Sequence, residues 1–182
     1  MSLFESAPGT AISDTPSGCS ASQGALSMGM DVIGRSPISE QGKYFRNNVW
    51  WWHPLWHYCE QIAPDIIAAS NLGHSNDGWG LGHRASIALA SRLALALESG
   101  HTADFEQRHR DRLAALPLEP CNICGATGKR AEPPSTGPGP LPCNGCNGTG
   151  SRPSFETHYS FSVENVREFE AFLRDCGGFR IC

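Results

Sequence analysis

The sequence predicts an α+β fold: a small helical core and a short sheet, with a cysteine-rich module inserted ahead of the last elements. Three observations predict it. Apolar residues recur at helical spacing in four stretches, and short apolar runs ended by glycine flank them. The segment CNICGATGKR (121–130) returns as CNGCNGTGSR (143–152), with a linker between the copies made almost wholly of turn formers.

Taken in order, residues 1–27 are rich in Ser, Gly, Pro and Ala and poor in large apolar groups. They are expected to form a flexible N-terminal arm, because too little surface can be buried to offset the ordering entropy. A single domain is expected over 28–182. Asp31-Val32-Ile33 reads as a short strand ended by Gly34. Four of the five tryptophans follow: Trp50, Trp51, Trp52 and Trp56. Pro54 is predicted to open a helix, where its missing N–H costs nothing. Leu55, Tyr58, Cys59, Ile62 and Ile66 line that helix, and Pro64 breaks it.

A glycine-rich loop (GHSNDGWGLG, 73–82) leads into RASIALASRLALALES. This helix is apolar around most of its circumference, which predicts a central place in the core, and Gly100 ends it. Thr102 is the expected cap of the next helix. Phe105, His109, Leu113 and Leu116 form its one apolar stripe, so it lies on the surface, and Pro117 stops it. The C-terminal segment HYSFSVENVREFEAFLRDCGGFRIC reads as strand, helix, strand. Ser162 caps the helix, Val163, Val166, Phe169 and Leu173 line its buried face, and Gly177-Gly178 end it.

The duplicated segment carries the clearest chemistry. Each copy is a C-x-x-C turn that aims two thiolates at one point. Cys124 and Cys143 are separated by 18 residues, a zinc-ribbon spacing. Cys121, Cys124, Cys143 and Cys146 are therefore predicted to hold one Zn2+ in a ribbon spanning 118–153. Glycines just past each pair let backbone N–H groups turn toward the sulfurs. Four cysteines close the coordination shell, so the ion is read as structural. The remaining cysteines, Cys19, Cys59, Cys176 and Cys182, are scattered, and a reducing compartment is expected. Cys59, Cys176 and Cys182 are read as core thiols.

The stretch CNGCNGTG (143–150) resembles the C-x-x-C-x-G-x-G repeat of the J-domain chaperone zinc-finger region. CNICGATG (121–128) departs from it at Ala126, where the repeat has Gly, and at the extra Gly125. That family carries four repeats and two zinc ions, whereas this chain has two repeats, enough for one, and lacks the HPD tripeptide. The resemblance implies metal binding by Cys121, Cys124, Cys143 and Cys146 and does not extend to cochaperone function. The run GMDVIG…GKYFRNNVWWWHPLW, the paired knuckles and the ending YSFSVENVREFEAFLRDCGGF together resemble uncharacterised small proteins encoded by bacteriophages and prophages, over most of 28–182. That likeness implies a phage origin and a bacterial host cytoplasm. It implies no activity.

Composition narrows the function. A net charge of −4 does not suggest a general phosphate-binding surface. No run of about 18 apolar residues is present, so no membrane partner is expected. The N-terminus lacks the pattern of a secretory signal. Three adjacent tryptophans cannot all face inward on one helical stripe. Trp50, Trp51, Trp52 and Trp56, with Arg46 beside them, are thus candidates for stacking a base or a partner's side chain. His53 and His57, four apart, could share a helical face and a metal, although packing beside the tryptophans is the simpler reading. Asn76, Asp77 and His83 in the glycine loop are candidates for binding a ligand, or else turn residues of a helix entry.

A non-enzymatic, zinc-stabilised binding protein is expected, acting on a host protein or a small nucleotide ligand, with a counter-defence role. One alternative is a small hydrolase using His74, Asp77 and His83. The other is a nucleic-acid-binding regulator using Lys129, Arg130 and Arg152.

Overall fold

The computed structural model describes residues 29–182, so the N-terminal arm read over 1–27 lies outside the described residues. The fold is an α+β mix with a cysteine cluster. β1 (Gly29–Gly34) pairs antiparallel with β2 (Tyr44–Asn48) on one side and with the C-terminal strand (Phe179–Ile181) on the other. β2 was not anticipated: Tyr44-Phe45-Arg46-Asn47-Asn48 holds a single large apolar residue facing inward, Phe45. Register with β1 fixes it, not its own pattern.

α1 (Val49–Ile62) begins five residues before Pro54, correcting the expected start. Asn48 sets the boundary, its side-chain oxygen accepting from the Trp51 N–H at 3.0 Å. Pro54 sits inside the helix and leaves the Trp50 carbonyl without its i+4 donor. The helix stops at Ala63, ahead of Pro64 as predicted. The glycine loop then runs along the outer edge of the C-terminal strand. Gly78 N donates to Ile181 O, Ile181 N to Trp79 O, and Phe179 N to Leu81 O. Gly80 is needed for this approach, since a Cβ there would sit 1.9 Å from the Phe179 carbonyl oxygen.

α2 (His83–Glu98) buries one face only: Ser86, Leu89, Ala90, Leu93 and Ala96. Leu95 is 63% exposed, so the helix flanks the core instead of running through its centre. Gly100, at φ +80°, ends it and directly precedes α3 (His101–Ala114). Thr102 is not the cap of α3. It is buried, and its hydroxyl shares a 2.9 Å hydrogen bond with Tyr58. α3 otherwise lies on the surface, as expected.

Four two-residue strands follow within the module: β3 (Glu119–Pro120), β4 (Lys129–Arg130), β5 (Leu141–Pro142) and β6 (Ser151–Arg152). A 3-10 turn at Phe155–His158 follows, and the strand expected ahead of the last helix does not form: residues 159–162 carry no regular structure. α4 (Val163–Asp175) is capped by Ser162 and buries Val166, Phe169, Phe172 and Leu173. β7 (Phe179–Ile181) closes the three-stranded sheet, after Gly177 and Gly178 turn the chain at positive φ.

The main core joins α1, α2, α4 and the sheet around Trp52, Trp56, Phe169, Phe172 and Phe179, all fully buried. Cys59 and Cys176 are buried within it as free thiols, and burial pushes both thiol pKa values up. Cys182 differs from expectation in being disulfide-bonded. No helix among the described residues is long and apolar enough to cross a membrane.

Candidate functional site

The four predicted cysteines meet. Cys121, Cys124, Cys143 and Cys146 are buried, with all four sulfurs within 4.8 Å of one another. The Cys121–Cys143 and Cys124–Cys146 sulfur pairs stand 3.9 and 3.8 Å apart. A disulfide would need about 2.05 Å. Four sulfurs held at about 2.3 Å from a central ion in a tetrahedron lie about 3.8 Å from one another, so the spacing fits a metal ion.

The duplication in sequence is a duplication in space. Ala126 N and Gly148 N each donate to the carbonyl of the first cysteine of their own turn, both at 3.0 Å. Thr127 and Thr149 hydroxyls each bond the carbonyl of the second cysteine, at 2.8 and 2.7 Å. The copies then exchange partners. Cys121 N donates to Gly150 O and Cys143 N to Gly128 O, both at 2.9 Å. β3 pairs with β6 and β4 with β5, so each strand entering one turn pairs with the strand leaving the other. A Cβ on Gly128 would sit 2.3 Å from Gly148 O, and one on Gly150 2.3 Å from Ala126 O. The symmetry breaks at Ile123, whose side chain lies over Gly145, its counterpart in the second copy, leaving room for one such side chain.

Gly150 N donates to the Cys146 sulfur at 3.2 Å. Burial alone would raise the Cys146 thiol, but this N–H and the neighbouring thiols outweigh it and bring it to about 7. Cys143 is pushed up to about 11, mainly by burial. A metal ion therefore displaces protons on binding, and its affinity falls as pH falls. Lys129 is exposed on the module. The Arg130 guanidinium is held inside the module by Asn144 Oδ1 at 2.7 Å and by backbone carbonyls.

The tryptophans divide as helical geometry requires. Trp52 and Trp56 are core: their rings stack at 5.5 Å, and their indole N–H groups donate to Gly73 O and Asn71 Oδ1. Trp50 and Trp51 are half-buried. Trp50 packs edge-on against Phe155 and Tyr159. Arg46 lies on the solvent face of β2, 3.9 Å from Asp31. Asp77 accepts from Trp79 N and acts as a turn residue, whereas Asn76 donates to Gly29 O and ties the loop to β1. His83 is exposed at the start of α2. No hydrogen bond or ion pair joins His74, Asp77 and His83 among the described residues, so that trio is not assembled.

A groove of about 520 Å³ opens instead beside the tryptophan helix. His53, His57 and Gln61 of α1 line one wall, four residues apart and hence on one face. Phe105, Arg108, His109 and Arg112 of α3 line the other. Tyr159 and Glu156 close one end, and His74 borders the groove from the glycine loop. Arg112 is paired with Glu156 at 2.9 Å. Arg108 has no ion pair among the described residues. His53 and His57 do not face one another as ligands. His57 bonds Gln61 at 2.8 Å, and His53 Nδ1 lies 2.7 Å from His74 Nδ1. Burial, then the neighbouring His74, lowers the His53 pKa. Burial would raise the Glu60 carboxyl, but hydrogen bonds from Asn71 and His74 outweigh it and hold it below its ordinary value.

Comparison of the chain with protein-family models, with curated proteins and with solved structures finds no match. Function is therefore read from the two sites themselves.

Proposed function

We propose that the chain is a zinc-stabilised binding protein whose groove takes up a small nucleotide-class ligand. Zinc is the ion that suits a closed set of four thiolates, and its role is to hold the module in shape. The observation that carries the binding reading is the lining of the groove. The aromatic side chains of Phe105 and Tyr159 on its lining suit a flat ring, and the guanidinium of Arg108, without an ion pair among the described residues, suits a phosphate. With the resemblance to phage-encoded proteins, the favoured target is a host nucleotide signal, met in the bacterial cytoplasm.

Calorimetric titration of the zinc-loaded protein with mono-, di- and cyclic nucleotides tests this. Micromolar binding of at least one is expected, weakened about tenfold by Arg108→Ala, the loss of one charge-assisted contact. A protein that binds none of them, or binds equally well as Arg108→Ala, contradicts the assignment.

A further inference from the structure

Three acid–base groups at the groove form a chain that binding alone does not require. The Glu60 carboxylate is held at both oxygens: Asn71 Nδ2 donates to Oε1 at 2.8 Å, and His74 Nε2 lies 3.3 Å from Oε2. An ionised carboxylate only accepts, so His74 carries a proton on Nε2, and its neutral ring then has the lone pair on Nδ1. That Nδ1 is 2.7 Å from Nδ1 of His53. The ring centres are 4.9 Å apart and the planes 19° from parallel. The difference between the two separations matches one centre-to-nitrogen radius from each ring. The nitrogens therefore meet head-on, edge to edge, as in an N–H···N hydrogen bond. His53 is the donor, which leaves its Nε2 with a free lone pair.

We propose that His53 is a general base and that the groove hydrolyses a phosphoester bond of the ligand it holds, an inference that rests on the nucleotide-binding reading. A base oriented by a second group, itself held by a carboxylate, is the arrangement proton transfer requires. We assign the nucleophile to water: no serine, threonine or cysteine lines the groove, and His57, His109 and Glu156 are engaged by Gln61, the Tyr159 carbonyl and Arg112. Water gives a proton to His53 Nε2 as its oxygen forms the new P–O bond. The bond from phosphorus to the ester oxygen breaks, and that oxygen takes its proton from solvent. Glu60, through His74, stabilises the imidazolium that forms. Arg108 offsets charge on the phosphoryl oxygens.

The zinc-loaded full-length protein is incubated with ATP, 3′,5′-cyclic AMP and bis(p-nitrophenyl) phosphate, and products are followed by phosphorus NMR. Turnover of at least one is expected, falling a hundredfold or more in His53→Gln, in keeping with loss of a general base. Glu60→Gln should lower the rate about tenfold while leaving nucleotide affinity unchanged. Nitrogen-15 NMR of the imidazoles should show His74 protonated on Nε2 and His53 on Nδ1, a readout independent of turnover. Nucleotide binding without turnover, full activity in His53→Gln, or the opposite tautomers overturn the general-base assignment and leave the binding reading standing. Neither binding nor turnover overturns both.

Discussion

Between Val32 and Ile181 the main body packs Trp52, Trp56, Phe169, Phe172 and Phe179 at zero exposure, each ring touching others from separate elements. Between Cys121 and Cys146 the cysteine module packs four thiols and, as its one apolar companion, the half-buried Ile123. The first cluster is held by removing apolar surface from water. The second has almost no such surface to remove, and its strands are two residues long. Backbone exchange between the two turns gives the module its shape, and a metal ion held by the four thiols would supply the free energy that burial cannot. In a loop-rich segment, sequence repetition with paired thiols does the work of hydrophobic periodicity.

The contrast can be broken from either side. The largest effect is expected from Cys143→Ser. Structural zinc sites contribute about 10–16 kcal/mol of apparent binding energy. The variant should therefore lose stoichiometric metal and the order of the module, while far-UV circular dichroism still reports α1, α2 and α4. Phe169→Ala should do the reverse. It should cost about 3–5 kcal/mol in chemical denaturation of the main body, with zinc content at its wild-type level.

Smaller effects sharpen the internal symmetry of the module. Gly128→Ala places a Cβ 2.3 Å from Gly148 O at φ +75°, and Gly148→Ala meets nothing within 4 Å at φ +80°. Both incur about 1–2 kcal/mol for the left-handed backbone, and only the first adds a clash with the opposite turn. Competition with a chromogenic chelator should thus show weaker zinc retention in Gly128→Ala than in Gly148→Ala. Ala126 already occupies this left-handed region, at φ 64°. Ala126→Gly should relieve that strain and, after the extra freedom glycine gives the unfolded chain, stabilise the module by about 0.5 kcal/mol in thermal unfolding.

Much of the fold was legible because local signals agreed. Ser162, the Val166–Phe169–Leu173 stripe and Gly177-Gly178 specify α4 from cap to stop, and the four cysteines announce their meeting through spacing alone. Two elements were obscured by competing signals. Pro54 resembles a helix start, yet Asn48 caps earlier, and tertiary burial of Trp52 and Trp56 carries the helix across the proline. Thr102 resembles a cap, yet Tyr58 takes its hydroxyl into the core. The groove could not be read in advance because its walls come from 53–61, 105–112 and 156–159, brought together only by packing. The i, i+4 spacing of His53 and His57 was its one local trace, and it pointed to the wrong partner. The structure pairs His53 with His74, 21 positions along the chain.

Hydrogen exchange of the module's backbone amides, with and without its metal, tests the central claim most directly. Protein isolated without added metal should carry one zinc ion by native mass spectrometry. Its amides over 121–152 should exchange slowly, and removing the ion should raise their exchange to near unfolded rates while α4 stays protected. A metal-free protein whose module amides exchange as slowly as those of the zinc-bound form would contradict the account.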